Sequence, residues 1–338
     1  MILLNHGESS ERPDLKTARR QFSKLGGIFV LFFAIVWLVQ TVAGVFLQMS
    51  YPDGNYPSFI LSAISFGSMY LCGLPVLLLA AARLPAKAPE MSKLRISQLL
   101  TVFLISIPLL YAGNLLGIFA GNLFGLITRA VPANTTMELV MSMNIWIEFA
   151  LVVLIGPFVE ELMFRRVLLD RTRSFGEKNA LIFSALLFAL YHLNVYQFFY
   201  AFFIGLLLGY LYLRTGRLTA VWGVHAAINF FGSTIPILLM RYGGYTELLS
   251  LTEQPDAMMQ YLTENPLTLL WLMLYSFTVM ALLTLGCILF AIKRKKIFFK
   301  TAENQLPPDS EAQTCYVNPG VICYIAITIL LTIIGQFV

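Results

Sequence analysis

The chain has 338 residues, of which 58% are hydrophobic and 12% are charged, and its formal net charge is +5. Its mean hydropathy of +0.76 lies far outside the usual range of soluble globular domains, which excludes that class. Apolar runs near the length that spans a bilayer, about 20 residues, recur along most of the sequence. We therefore predict an all-α fold, a polytopic transmembrane helical bundle with about eight to nine spans.

Nine apolar runs are candidate spans. The run at 179–193 has about 15 residues, or roughly 22 Å of helix, and is the shortest of them. Such a run crosses a bilayer only where the membrane is thinned or the helix faces water. In chain order, the runs cover 26–48, 58–82, 97–128, 139–169, 179–193, 196–213, 218–240, 267–292 and 320–338.

The runs divide the chain into regions. A basic leader comes first, and N-terminal spans, a core of spans, an external loop and C-terminal spans follow it. A polar linker with little to pack separates the last two runs. These regions cover 1–25 for the leader, 26–138 for the N-terminal spans, 139–240 for the core, 241–266 for the loop and 267–338 for the C-terminal spans, with the linker at 301–319.

Lysine and arginine are distributed unevenly between the spans. Cytoplasmic loops of membrane proteins collect these residues. All basic residues except Arg129 and Arg241 fall in the leader, in every second connection or at the span ends beside them. This pattern predicts a cytoplasmic N-terminus and an external C-terminus. It also explains the positive charge through orientation in the lipid bilayer, so no nucleic-acid partner is expected.

Two adjacent carboxylates, Glu160 and Glu161, lie within an apolar run, in the stretch GPFVEELMFRR. A charge at the centre of a span costs roughly 2.5–3.5 kcal/mol, so an ionisable residue there indicates a functional site with a partner. Arg165 follows Glu161 by four residues, which places both on one helical face. Glu160 is rotated about 100° away from that face. We predict a structural ion pair between Glu161 and Arg165. Glu160 is outside this pair and is free for a functional role.

Pro157 precedes the two glutamates and lacks a backbone N–H, so it interrupts the helix. The carbonyl groups freed by this break need water or side chains as partners, which favours a hydrated cavity near the carboxylates. The alternative interpretation is a simple proline kink with acids at the membrane interface, because a basic stretch begins at Arg165.

Two histidines lie inside spans, His192 in FSALLFALYHLN and His225 in AVWGVHAAINF. Phe188 precedes His192 by one turn, and Asn229 follows His225 by four residues on the same face. A single histidine in a span usually packs or forms a hydrogen bond. Measured from the cytoplasmic ends of their spans, Glu160, both histidines and Asn229 lie roughly 12–21 Å deep. This shared layer predicts that they meet at one cavity.

The segments EELMFR, FALYH and HAAIN match, in order, the motifs EExxxR, FxxxH and HxxxN. On these motifs the sequence resembles the CPBP family, which comprises Rce1-type CaaX-processing endopeptidases and the bacteriocin-processing or immunity membrane proteins called Abi. The resemblance covers about residues 140–235, and Arg166 departs from it where many members carry glycine. It implies an intramembrane protease, a hydrolase of the cell membrane in bacteria or of the endoplasmic reticulum in eukaryotes.

The resemblance also implies roles for the motif residues. Glu160 and His192 would activate a water molecule, because apolar surroundings make a carboxylate a better general base. His225 and Asn229 would donate hydrogen bonds to the tetrahedral oxyanion. The expected substrate is a peptide or membrane protein, with or without a prenyl group.

The remaining motif residues are expected to support this site. Glu161 and Arg165 would hold the helix and orient Glu160, and Phe188 would support His192. No cofactor is required by this scheme.

Two further interpretations remain open from the sequence. Glu160, His192 and His225 could instead bind zinc, since two histidines and a carboxylate match catalytic zinc sites. We prefer the metal-free scheme because Asn229 suits an oxyanion and is a poor zinc ligand. Alternatively, the chain is a non-enzymatic immunity or partner protein, or a transporter, although it shows no internal repeat.

Overall fold

The computed structural model describes residues 14–57, 59–128 and 135–335. Within these ranges the chain forms helices joined by turns, with no strand among them, which confirms the predicted fold class. The first part of the predicted leader and Arg129 lie outside the described residues.

The helices are numbered here in chain order, and several contain π-helical turns. They are α1 (Leu15–Ser50), α2 (Phe59–Ala81), α3 (Ile96–Thr128), α4 (Thr135–Ser142), α5 (145–175), α6 (Glu177–Tyr191), α7 (Val195–Thr215), α8 (Leu218–Tyr242), α9 (Tyr245–Ser250), α10 (Pro255–Glu264), α11 (Pro266–Lys293), α12 (Pro308–Tyr316) and α13 (Pro319–Ile334).

Among the described residues, 6 helices are long and apolar enough to cross a membrane, namely α1, α2, α3, α7, α8 and α11. The number is 7 if α12 and α13, which meet at a bend of 59°, count as one span. The predicted runs at 139–169 and 179–193 correspond to α5, which carries charged side chains, and to α6, which has 15 residues and is largely buried. Neighbouring helices cover both, so they need not meet the requirements of lipid-facing spans.

The first helix begins earlier than the sequence predicted. Asp14 caps α1 by accepting hydrogen bonds from the backbone N–H groups of Lys16 and Thr17. Phe22 and Leu25, which fall in the predicted leader, are buried in the core. The predicted leader, residues 1–25, therefore contains the first turns of α1, because apolar side chains within the basic stretch pack against the bundle.

The two polar connections contain more structure than their composition suggests. The linker 301–319 includes α12 and buries Leu306 and Cys315, so the expectation that it packs little was wrong. The loop 241–266 contains the short helices α9 and α10. In both places a few apolar residues among many polar ones anchor the segment.

The connections predicted to be cytoplasmic meet at one end of the bundle. Their backbones are joined by hydrogen bonds from Lys87 N to Asp170 O (2.6 Å), from Ser92 N to Thr215 O (3.0 Å) and from Asn304 N to Ser174 O (2.9 Å). Arg241, one of the two exceptions to the charge pattern, instead donates to the Met141 carbonyl in the last turn of α4. The grouping of these segments at one end of the bundle therefore agrees with the charge pattern. That this end lies on the cytoplasmic side of the membrane stays a prediction.

The core lies around α6, between α1, α5 and α13. The backbones of α1 and α13 approach at Gly26 and Gly320, where neither position has room for a Cβ atom. Tyr324 of α13 donates a hydrogen bond of 2.8 Å to the Leu187 carbonyl of α6. This packing fixes α6 against α5, and thereby sets the relative positions of the FALYH and EELMFR motifs.

Candidate active site

The helix α5 alternates between two kinds of helical turn around the glutamates. π-Helical stretches, Phe149–Ile155 and Leu162–Leu169, flank an α-helical segment, Gly156–Glu161. In a π-helix each N–H bonds to the carbonyl five residues back, and such stretches often occur at functional sites. The glutamate pair thus lies at the end of a short α-helical segment between two π-helical stretches.

The proline break frees one particular carbonyl. Gly156 N bonds to Leu151 O, five residues back. The next bond of this series would join Pro157 to Val152 O, and it cannot form because proline has no N–H. Asn229 of α8 supplies the missing donor, with its Nδ2 atom 2.9 Å from Val152 O. The sequence predicted a freed carbonyl here, and a side chain satisfies it.

A second side chain of α8 binds the same stretch of α5. The indole Nε1 of Trp222 donates to Leu154 O at 2.9 Å, and the indole ring packs edge-on against Phe158. Trp222, His225 and Asn229 are spaced by three and four residues, so they share one face of α8. That face is therefore held against the broken part of α5.

Glu161 is enclosed in a cluster of hydrogen bonds. Its Oε2 atom accepts from Arg165 Nε at 2.7 Å, and its Oε1 atom lies 2.9 Å from His225 Nδ1. Arg165 Nη1 also donates to Ser184 Oγ at 3.2 Å. Glu161 and Arg165 are both 0% exposed, so the predicted ion pair is present and buried. Both carboxylate oxygens of Glu161 therefore have a partner on the protein.

Phe188 supports both histidines and the arginine. Its carbonyl lies 2.9 Å from His192 Nδ1, and its ring is 4.8 Å from the His192 ring and 5.9 Å from the His225 ring. The Arg165 guanidinium is 5.5 Å from the same ring. Because a carbonyl only accepts, His192 Nδ1 carries the hydrogen, and Nε2 of the neutral ring is a proton acceptor.

Glu160 differs from its neighbour in exposure and in partners. Its side chain is 18% exposed, and its Oε2 atom lies 3.6 Å from His225 Nε2. It lines the same cavity as His192. His225 is thus placed between the two glutamates, with Nδ1 on Glu161 and Nε2 towards Glu160.

The predicted catalytic residues surround one cavity of about 360 Å³. This volume falls within the range of small ligand pockets, roughly 300–1,000 Å³. Glu161 and Arg165 do not line the cavity and lie behind its wall. The motif residues that line it are Phe188, Glu160, His192, His225 and Asn229.

Three site residues were not predicted from the sequence. Ser184 precedes Phe188 by four residues, and Trp222 precedes His225 by three, so helical spacing could have identified both. Tyr70 of α2 also lines the cavity, but it lies far from the motifs in sequence and has no comparable pattern.

The residues considered for zinc do not form a metal site in this arrangement. Across the described part of the chain, no group of three or more His, Cys, Asp or Glu side chains could hold a metal ion. We therefore derive no step through a metal.

Comparison with known proteins identifies the core of the chain. Residues 142–231 match the family described as type II CAAX prenyl endopeptidase Rce1-like. No curated protein and no solved structure matches the chain. The matched segment contains all three motifs and runs from the end of α4 into α8, which confirms the resemblance noted in the sequence. The chain is therefore an integral membrane protein in which residues 142–231 are similar to the Rce1-like endopeptidase family.

Proposed function

We propose that this protein is a glutamate-dependent intramembrane endopeptidase that hydrolyses a peptide bond of a membrane-associated or lipidated substrate. The observation that carries this proposal is the shared cavity of Glu160, His192, His225 and Asn229. These four side chains come from α5, α8 and the end of α6, and together they offer an acid–base pair and hydrogen-bond donors at one place.

Glu160 is the proposed general base. It is the partly exposed member of the glutamate pair and lines the cavity, whereas Glu161 is fully buried with both oxygens bonded. The ion pair with Arg165 and the hydrogen bond with His225 hold Glu161 in place. Glu160 directly precedes Glu161 in the same helical turn. Its carboxylate is therefore positioned before substrate binds, which reduces the reorganisation that catalysis requires.

His192 is the proposed partner of Glu160 in holding the water. Its Nδ1–H is fixed on Phe188 O, so Nε2 is left to accept a hydrogen bond from a water molecule in the cavity. A water between Nε2 and the Glu160 carboxylate has a proton acceptor on each side. This arrangement favours the formation of an attacking oxygen.

The proposed reaction consumes one water for each peptide bond. Glu160 takes a proton from the water as its oxygen bonds to the carbonyl carbon, and the carbonyl electron pair moves onto the carbonyl oxygen. When the tetrahedral intermediate collapses, the C–N bond breaks and the protonated Glu160 returns the proton to the leaving amine. The products are a carboxylic acid and an amine, and the enzyme is restored.

The proposed oxyanion donors already have partners on the protein. One hydrogen of Asn229 Nδ2 is used by Val152 O, and the second is free to bond an oxyanion. His225 donates from Nε2 when that atom is protonated, and its Nδ1 is held by Glu161. Both donors are thus fixed in position by other contacts, as electrostatic stabilisation of a transition state requires.

The substrate class follows from the location of the cavity. It lies among membrane-spanning helices, and apolar side chains such as Phe66, Leu110 and Ile204 form part of its lining. This lining suits an apolar peptide or a lipid-modified segment more than a soluble polar chain. The family match supports a peptide with a C-terminal CaaX sequence, with or without a prenyl group.

Cleavage of defined peptides by the purified protein tests the proposal. The full chain is reconstituted in liposomes with a library of membrane-inserted peptides and CaaX peptides with and without a farnesyl thioether. Mass spectrometry then identifies the products. We expect cleavage at defined bonds by the wild type and none by Glu160→Gln.

A matched control distinguishes the effect of removing the Glu160 carboxylate from the effect of removing another carboxylate of the same helix. Glu148 also lies on α5 and is buried, but it accepts hydrogen bonds from Ser233 and Thr234 and does not line the cavity. Glu148→Gln should retain cleavage. Equal cleavage by the wild type and Glu160→Gln would refute the assignment of the base, and absence of cleavage of every peptide would refute the function.

A further inference from the structure

Tyr70 reaches the cavity from outside the segment that matches the protease family. It belongs to α2, whereas the family match begins at residue 142. Its side chain lines the same cavity as Glu160. The N-terminal spans therefore contribute a polar group to the proposed active site.

The position of the Tyr70 hydroxyl is defined by a glycine. The oxygen lies 3.3 Å from the point that a Cβ atom on Gly156 would occupy. Gly156 precedes Glu160 by four residues, so both lie on one face of α5. The absence of a side chain at 156 leaves room for the hydroxyl one turn away from the proposed base.

The local backbone of α2 aims this side chain. Ser68–Gly73 is a π-helical stretch, in which Leu74 N bonds to Met69 O, five residues back. An insertion of this kind changes the direction of the side chains around it, and it often marks a functional site. The Phe66 ring packs 5.7 Å from the Tyr70 ring and lines the cavity beside it.

The hydroxyl of Tyr70 has no hydrogen-bond partner among the residues that the structure describes. The other proposed donors are partly engaged, Asn229 with Val152 O and His225 with Glu161. A phenol is a good donor to a developing oxyanion, because it gains strength as the acceptor becomes charged. Tyr70 is thus an uncommitted donor at the site.

We propose that the Tyr70 hydroxyl donates a hydrogen bond to the carbonyl oxygen of the scissile peptide as it becomes an oxyanion. Tyr70 would then be a third catalytic donor, contributed by the N-terminal spans. No proton is transferred in this step, since the hydroxyl keeps its hydrogen and stabilises the negative charge. The inference rests on the proposed endopeptidase function.

The test replaces Tyr70 with phenylalanine and uses the best-cleaved peptide from the liposome assay. Tyr70→Phe removes the hydroxyl and keeps the ring beside Phe66. We expect kcat to fall by about 10²-fold, as for the loss of one oxyanion donor, with KM little changed. Tyr56→Phe, the same substitution just before α2 and away from the cavity, should behave as the wild type.

A second measurement does not depend on turnover. A phosphinate analogue of the same peptide mimics the tetrahedral intermediate, and its affinity is measured by displacement of a fluorescent analogue. Tyr70→Phe should weaken phosphinate binding by about the same factor as kcat, while binding of the uncleaved peptide to a Glu160→Gln background stays unchanged.

The outcomes distinguish the two proposals. Wild-type cleavage with full activity and full phosphinate affinity in Tyr70→Phe overturns the role of Tyr70 and leaves the endopeptidase proposal intact. The same holds if Tyr200→Phe, which changes the other cavity phenol near Glu160, shows the losses and Tyr70→Phe does not. Absence of cleavage by the wild type overturns both proposals.

Discussion

The two sides of α5 at Glu160 and Glu161 make a sharp contrast. On one side, Glu161, Arg165 and Ser184 form a closed cluster in which the carboxylate has a partner for each oxygen. On the other side, Glu160 faces a cavity and has 18% of its side chain exposed. Adjacent residues of identical chemistry thus have different surroundings, because they point in different directions from the helix axis.

Under the proposed mechanism, this contrast explains how the carboxylate of Glu160 is kept in place within a membrane. A charge in an apolar environment is tolerated when it is paired and hydrogen-bonded. In the closed cluster, the bonds of Glu161 fix the helix backbone and His225. Glu160 is thereby held in position, while its carboxylate oxygens remain available to the cavity.

The largest effect is expected on the cavity side. Glu160→Gln should abolish detectable cleavage, because a general base alone contributes about 10²–10⁴-fold and this carboxylate also holds the water. The shape of the side chain is nearly preserved and one charge is removed, so thermal stability should be unchanged or higher. Peptide cleavage and thermal unfolding of the same sample check both statements.

On the closed side, the expected effect is on stability. Arg165→Ala leaves Glu161 buried without its cation, which costs about 3–5 kcal/mol of unfolding free energy. Folding yield and activity should fall together. The control is Arg166→Ala, which removes a neighbouring guanidinium that is 52% exposed. If Arg165→Ala unfolds at the temperature of the wild type, the cluster has no structural role.

Asn229 both lines the cavity and bonds to the backbone of α5. Its substitution therefore tests a catalytic and a structural contribution together. Asn229→Ala removes an oxyanion donor, so the rate should fall by about 10²–10³-fold while weak turnover persists. Trp222→Phe is the matched variant, since it removes the donor to Leu154 O without touching the cavity. Both variants lose a bond to α5, and a similar rate loss in both would contradict a direct role for Asn229.

The smallest effect is expected from metal removal. Dialysis against a strong chelator should leave the cleavage rate unchanged, because the proposed chemistry needs the carboxylate and the donors alone. Restoration by zinc of an activity lost on chelation would favour the zinc scheme with Glu160, His192 and His225. The rate of the reconstituted protein before and after dialysis is the measurement.

The sequence predicted the bundle and the motif residues because both produce local signals. Apolar runs and the spacing of Glu161 with Arg165, or of His225 with Asn229, depend on helix geometry alone. The π-helical turns, the burial of Phe22 and Leu25 and the packing of 301–319 depend on contacts between distant segments. The position of Tyr70 at the cavity could not be predicted for the same reason, since α2 meets the cavity only in the folded bundle.

The bonds that α8 makes across the proline break also affect how the chain enters the membrane. During synthesis, α5 emerges before Asn229 exists, so Val152 O then lacks the donor that Asn229 later supplies, and an unsatisfied backbone group is costly in a membrane. We expect that a nascent chain stopped before residue 218 holds α5 loosely and is extracted from the membrane more readily than one that extends past residue 242. Carbonate extraction of such stalled chains measures this difference, and equal retention of both would show that α5 inserts independently.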